Sequence, residues 1–276
     1  MTNIYILGGE GFIGKNLIDF FSTNTNFNIY SVSRKKSLFS SNESININYI
    51  FEDIYKCKFK FEEGSIIIHL ARPKFITEEK FYNDEIKLKN YVLTFNPKQL
   101  IIFSSSVVYI NSNSIYKTEK KILEKVWSNP NSCIVRLFNT YGKYQLPFTA
   151  GSLVSTIFYN QIILEETTIN DVTQLRNFIY AFDIGKILLE VINNRINGVI
   201  DLGGVSTISI KELIFNIGKV IKLNTLKIID NKEETFLKEP NNLFDIEYTD
   251  INKGLKETLE FLQNNIKLIQ KKGQKK

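Results

Sequence analysis

Residues 7–16 read LGGEGFIGKN, and two phosphate-binding patterns overlap in that stretch. From Gly9 to Lys15 it spells G-x-x-x-x-G-K, the start of a nucleoside-triphosphate loop. Through Gly8, Gly11 and Gly14 it spells G-x-x-G-x-x-G, the turn that carries a dinucleotide. A triphosphate loop needs Ser or Thr after its lysine, because that hydroxyl ligates magnesium. Here Asn16 follows. The dinucleotide turn needs a strand before it, a helix after it and glycine wherever backbone must approach phosphate. The apolar run 3–7 supplies the strand, and helical spacing over 13–21 supplies the helix. Gly8 permits a tight turn, Gly11 keeps a side chain away from the pyrophosphate, and Gly14 lets helix and strand pack closely. Phe12 and Ile13 then open the helix, whose free N–H groups and positive dipole end favour phosphate. The dinucleotide reading fits its surroundings; the triphosphate reading does not.

The rest of the chain repeats this rhythm. Apolar runs at 27–33, 48–51, 65–70, 100–103 and 133–137 alternate with helical patterns at 78–95 and 116–127. Near-continuous apolar strands between helices predict a parallel sheet covered on both faces. The expected class is α/β, a doubly wound Rossmann sheet with a smaller mixed C-terminal substrate lobe. The sheet domain is expected to take 1–143 and 177–204, the lobe 144–176 and 205–270, with 271–276 a disordered basic tail.

Composition excludes several classes. The formal charge of +6 depends on the ending KKGQKK, and no basic stripe with interleaved aromatics argues for nucleic acid. Cys57, Cys133 and the lone His69 lack metal-ligand spacing. No leader pattern and no membrane-length apolar run is present, so a metal-free, cytoplasmic protein is expected.

The second strand bears on the cofactor. NAD enzymes place a carboxylate about 20 residues past the turn, on the adenosine ribose. Between Asp19 and Glu43 no acidic residue occurs, and the strand ends in SVSRKKS. Arg34, helped by Ser33 or Lys35, suits a 2′-phosphate, so NADP is expected over NAD, although a solvated turn accounts for these cations equally simply.

IIFSSSVVY (101–109) puts serines at the carboxyl end of a parallel strand, where such sheets build their sites. Tyr116 and Lys120 follow, four apart and so on one helix face. Bringing a phenol to neutrality takes about 4 kcal/mol. A lysine ~5 Å away at an effective dielectric of ~20 supplies about 3 kcal/mol. Tyr116 and Lys120 can therefore serve as an acid/base while a nicotinamide moves a hydride, with Ser105 on the substrate oxygen. The pair alone is weak, since about one Tyr-x-x-x-Lys arises by chance in a chain with 13 tyrosines. Position gives it weight.

With GGEGFIG, EDI (52–54), HLA (69–71), FSSSVVY, YKTEK, RLFNTYG (136–142), RNFIYAFDIG (176–185) and DLGGVSTISIKEL (201–213) in order, the chain resembles the extended short-chain dehydrogenases/reductases, the NAD-dependent epimerase/dehydratase family. The resemblance implies a nucleotide-sugar enzyme, commonly dimeric and serving polysaccharide biosynthesis. It implies catalytic Ser105, Tyr116 and Lys120. It puts Asp53 and Ile54 at the adenine, Leu70, Ala71 and Arg72 along the cofactor, and Asn139 and Arg176 on the sugar nucleotide's diphosphate. His69 becomes a structural residue at a strand end. Dehydrating members carry Asp-Glu after the catalytic Ser/Thr; here stand Ser106 and Val107. Members that epimerise C3 and C5 carry a cysteine where Val107 stands. What these departures leave is reduction of a 4-keto-6-deoxy sugar nucleotide, favoured by the NADP expectation, or 4-epimerisation with bound NAD. A non-catalytic dinucleotide sensor is the rival from another class. The segment from Ser105 to Tyr116 is shorter than the family pattern.

Overall fold

A computed structural model describes residues 1–39, 46–56, 59–73, 77–111, 113–229 and 238–273. Its first half alternates β1 (Asn3–Leu7), α1 (Phe12–Asn24), β2 (Asn28–Val32), β3 (Ile47–Ile50), β4 (Ile66–His69), α2 (Glu78–Leu93), β5 (Gln99–Ser105), α3 (Ile115–Trp127) and β6 (Ser132–Leu137). There follow β7 (Asn139–Tyr141), α4 (Leu153–Ile163), β8 (Glu166–Asn170), β9 (Leu175–Tyr180), α5 (Ala181–Asn193) and β10 (Gly198–Leu202). The chain ends in β11 (Thr207–Ser209), α6 (Ile210–Val220), β12 (Thr225–Ile229) and α7 (Ile251–Gly273).

Seven strands pair in the order β10-β6-β5-β4-β1-β2-β3, every pairing parallel. The order reverses between β1 and β4, which is where open α/β sheets bind ligands. Alternate residues of each strand face opposite layers. Ile4 and Ile6 pack with Leu17, Phe21, Ile184 and Leu188 of α1 and α5. Tyr5 and Leu7 pack with Leu88, Val92, Leu123 and Trp127 of α2 and α3. That explains why the strand sequences show no polar alternation: both faces are dry. Fully burying one such side chain contributes about 1.5–3 kcal/mol.

A third cluster joins α4, α6 and α7 around Phe158, Leu213 and Leu255. It lies beside two small sheets, β11-β9-β7 and β12-β8. Phe39, from the segment after β2, stacks edge-on against Phe261 of α7 at 4.8 Å and so ties this lobe to the large sheet.

One expectation changes. The chain is helical through Gly273, so 271–273 are not a disordered tail; buried Leu262 and Ile269 carry the apolar face of α7 that far. Residues 274–276, like Cys57, lie outside the described residues. Cys133, on β6, faces the core layer of α1 and α5, and burial pushes its thiol up to about 12. Among the described residues no helix is long and apolar enough to cross a membrane. Nor, among them, could any group of His, Cys, Asp or Glu hold a metal ion.

Candidate active site

The glycine turn takes its shape from contacts a side chain would obstruct. Gly8 has φ +94°, and a Cβ there would stand 3.0 Å from the Ala71 nitrogen and 3.2 Å from the Leu70 carbonyl carbon. This turn therefore lies directly on the residues that follow β4. A Cβ at Gly14 would fall 2.5 Å from the Gly8 oxygen and 2.6 Å from Gly9 Cα, so α1 presses on the turn itself. Gly11 is the N-cap of α1 and no side chain caps it. Asn16, the residue that excluded a triphosphate loop, donates from Nδ2 to the carbonyls of Phe12 and Lys143, at 2.9 Å each. Lys15 is buried with its ammonium 5.2 Å from the centre of the Tyr144 ring. Asn16 is thus engaged by two backbone carbonyls, and Lys15 is buried against an aromatic ring.

Beyond the turn opens a cleft of about 500 Å³ at the carboxyl edge of the sheet. Phe12 and Ile13, Ser105, Tyr116, Asn139 and Arg176 all line it. Six expected site residues from five separate elements therefore share one cavity. Ser105 ends β5, and its hydroxyl accepts from Val107 N–H at 3.3 Å, starting a 3-10 turn over Ser106–Tyr109. Helix α3 is capped by Ser114, and Tyr116 in its first turn lines the cleft together with Ser105.

The electrostatics depart from expectation. Tyr116 is 41% exposed as a residue, yet burial raises its phenol above the ordinary value, and Glu119 adds to the rise. A hydrogen bond from Ser105 and the charge of Arg72 act in the opposite sense. The Arg72 guanidinium lies 5.7 Å from the Tyr116 ring centre and pairs with buried Glu119 at 2.6 Å. Lys120 was expected to loosen this proton. Its ammonium is 5.6 Å from the ring centre but donates to the Phe103 carbonyl at 2.8 Å, behind the cleft wall. Burial lowers Lys120 to about 8, against the opposing pull of Glu85. The cation countering burial of the phenol is thus Arg72, and the balance leaves Tyr116 above the ordinary phenol value.

The other expected positions divide. Leu70 and Ala71 border the glycine turn. Asp53 caps its own turn, accepting from Tyr55 N–H at 3.2 Å, while Ile54 is core beneath β1 and β2. Ser33 accepts from Glu10 N–H at 3.0 Å, whereas Arg34 and Lys35 are exposed. Asn139 donates to the Asn177 carbonyl at 3.2 Å, and Arg176 to Gln174 Oε1 at 2.6 Å. His69 lies buried at the end of β4, 3.1 Å from Glu85, which also accepts from Trp127 at 2.8 Å and Tyr55 at 2.7 Å. It is a partner of a buried carboxylate and takes no part in the cleft wall.

One cation in the wall was not anticipated. Lys238 lies 3.5 Å from the centre of the Tyr109 ring and pairs with Asp201 at 2.7 Å. Tyr109 in turn donates to Asp201 at 2.6 Å and accepts from Arg136 at 2.8 Å. Nothing near KEPNN in the sequence signals this, because its partners lie far off in the chain.

Residues 120–203 match the model of the NAD dependent epimerase/dehydratase family. No curated protein matches the chain. Solved structures do. A UDP-N-acetylglucosamine 4-epimerase from Methanobrevibacter ruminantium, in complex with UDP-N-acetylmuramic acid, is 20% identical with a TM-score of 0.80, covering 96% of this chain and 99% of its own. A dTDP-glucose 4,6-dehydratase from Bacillus anthracis, in complex with NAD, is 18% identical with a TM-score of 0.77, covering 97% and 98%. An NAD-dependent NDP-hexosamine 5,6-dehydratase of tunicamycin biosynthesis is 19% identical with a TM-score of 0.75, covering 96% and 98%. At these identities the likeness establishes a shared Rossmann fold over the whole length.

Proposed function

We propose that this chain, which over residues 120–203 is of the NAD-dependent epimerase/dehydratase family, transfers a hydride to or from C4 of a nucleoside-diphosphate sugar. The observation that carries this reading is that Ser105 and Tyr116 line one cleft with the head of α1, the serine hydroxyl near enough to act on the phenol. A nicotinamide dinucleotide fits the turn: glycines leave its backbone bare, and α1 has no side-chain cap, so its first amides suit a pyrophosphate. Gly8, Gly11, Gly14, Leu70 and Ala71 would hold it. When bound, that group supplies the hydride.

The chain's own residues handle the proton. Ser105 binds the substrate oxygen and Tyr116, a protonated phenol, donates a proton to it as the carbonyl is reduced. Asn139, Arg176 and Lys238 form the polar side of the cleft, and their amide and cationic groups suit a diphosphate. No described residue of the cleft wall is acidic, so none is placed to expel a sugar hydroxyl. Ser106 and Val107 stand in that wall instead.

In the reductive direction, reduction of a 4-keto-6-deoxy sugar nucleotide, the protonated phenol is the form required. A 4-epimerase is the second reading. It is supported by the exposure of Arg34, the cation on which the NADP expectation rested. Purified protein with 4-keto nucleotide sugars and reduced dinucleotide separates them. Net loss of the reduced nicotinamide band indicates a reductase; interconversion of 4-hydroxy sugars without net loss indicates an epimerase. Neither change, in protein that binds dinucleotide, leaves the sensor.

The pH profile has a defined sign. Lys120 is held down to about 8, so its charge is present below that pH and lost above it. Loss of a nearby cation weakens the site's hold on developing negative charge. Turnover is therefore expected to step down as pH rises through about 8 and to level off above it, since the ammonium is a neighbour of the acid and not the acid itself. A profile of kcat/KM that is flat from pH 7 to about 10 contradicts a role for this ammonium.

A further inference from the structure

The turn after β2 presents cations and no carboxylate, yet a carboxylate occupies that place. It belongs to Glu10, inside the glycine turn. The Gly8 N–H donates to the Val32 carbonyl at 2.7 Å, so the turn crosses the end of β2. A Cβ on Gly9 would sit 2.3 Å from Ser31 Oγ, and only glycine permits so close a crossing. Glu10 then reaches across the strand end. Its Oε2 accepts from Ser37 N–H at 2.7 Å, and its Oε1 from the Ser31 hydroxyl at 3.4 Å. Its own N–H is held by Ser33 Oγ at 3.0 Å.

We propose that Glu10 is the specificity residue of the dinucleotide site and selects the unphosphorylated ribose, NAD over NADP. The inference rests on the dinucleotide reading of the glycine turn. The end of the second strand is where a Rossmann site reads the adenosine 2′ position, ordinarily with a carboxylate contributed from just beyond that strand. Here the carboxylate arrives from the other side of the crossing. An ionised carboxylate has about four acceptor sites. The two contacts leave capacity for a ribose hydroxyl, a donor. A 2′-phosphate has no proton to give at neutral pH and meets a like charge instead. Arg34 and Lys35, the cations that suggested NADP, are exposed, while Glu10 is fixed by three hydrogen bonds to the segment they belong to. The fixed charge governs selection because no side-chain ordering is needed to present it.

Glu10→Gln keeps the length of the side chain and an oxygen for Ser37 N–H, and removes only the charge. NADH and NADPH are titrated separately into wild type and variant, following nicotinamide fluorescence. Wild type is expected to bind NADH at least about tenfold tighter than NADPH, and the variant to lose most of that ratio through a gain for NADPH. Arg34→Ala is expected to leave the ratio within about twofold. If Glu10→Gln melts well below wild type, Glu10→Ser replaces it in the same titration. Tighter NADPH binding by wild type, or an unchanged ratio in the variant, overturns the assignment while leaving the dinucleotide site intact. Failure of wild type to bind either dinucleotide overturns both.

Discussion

Tyr116→Phe is expected to lower kcat by ~10²–10⁴ while leaving dinucleotide affinity within about twofold. The substitution removes one oxygen from a ring that is packed by Arg72 and Lys120, and leaves the ring itself. What disappears is the proton donor on the substrate oxygen and the partner of Ser105. Since the phenol acts here as the proton donor, the loss should be larger for reduction of a keto sugar than for any step needing the phenolate. Steady-state turnover beside a fluorescence titration of the cofactor measures both quantities. An undiminished kcat would remove Tyr116 from the chemistry, and a parallel collapse of cofactor binding would make its role structural.

Gly14→Ala is expected to lower dinucleotide affinity by about 100-fold, the equivalent of ~2.7 kcal/mol. The added methyl meets backbone on two sides, 2.5 Å from the Gly8 oxygen and 2.6 Å from Gly9 Cα. Neither can rotate away as a side chain would. Helix α1 must retreat from the turn, and its head moves off the phosphates it is placed to hold. Overpacking of this kind also costs ~1–3 kcal/mol of stability. Calorimetric titration with thermal melting separates the two effects. Retained affinity in a folded variant would show that the turn does not hold the pyrophosphate.

The sequence makes the large sheet readable because its strands are dry on both sides. Ile4 and Ile6 enter one layer and Tyr5 and Leu7 the other, so the run appears as uninterrupted apolar residues of strand length. The glycine spacing is equally legible, since Gly8, Gly11 and Gly14 recur every three residues, and a Cβ at Gly14 would press on backbone. The line from Ser105 to Tyr116 is short enough to follow by eye. Contacts made across the fold are not. Lys238 reaches the cleft through Asp201 and Tyr109, residues brought to it by β10 and β5. Glu10 reads as one variable position of a glycine motif until Ser37 and Ser31 are seen to fix it. The spacing of Tyr116 and Lys120 places both on one face of α3 but does not say that the ammonium turns toward the Phe103 carbonyl. Nor does it say that burial outweighs the neighbouring charges on the phenol. The helical ending was missed for a similar reason: its lysines advertise solvent, while Leu262 and Ile269, which hold α7 down, are single residues in a polar run.

The central claim is that a hydride and a proton cross this cleft together, the proton by way of Tyr116. Rapid mixing of dinucleotide-loaded protein with nucleoside-diphosphate sugars, 4-hydroxy sugars against the oxidised form and 4-keto sugars against the reduced form, tests it in one pass. The near-ultraviolet band of reduced nicotinamide should appear or vanish within a single turnover in wild type, and do so far more slowly in Tyr116→Phe. A band that never changes with any such sugar, in protein shown to hold the dinucleotide, would contradict the account.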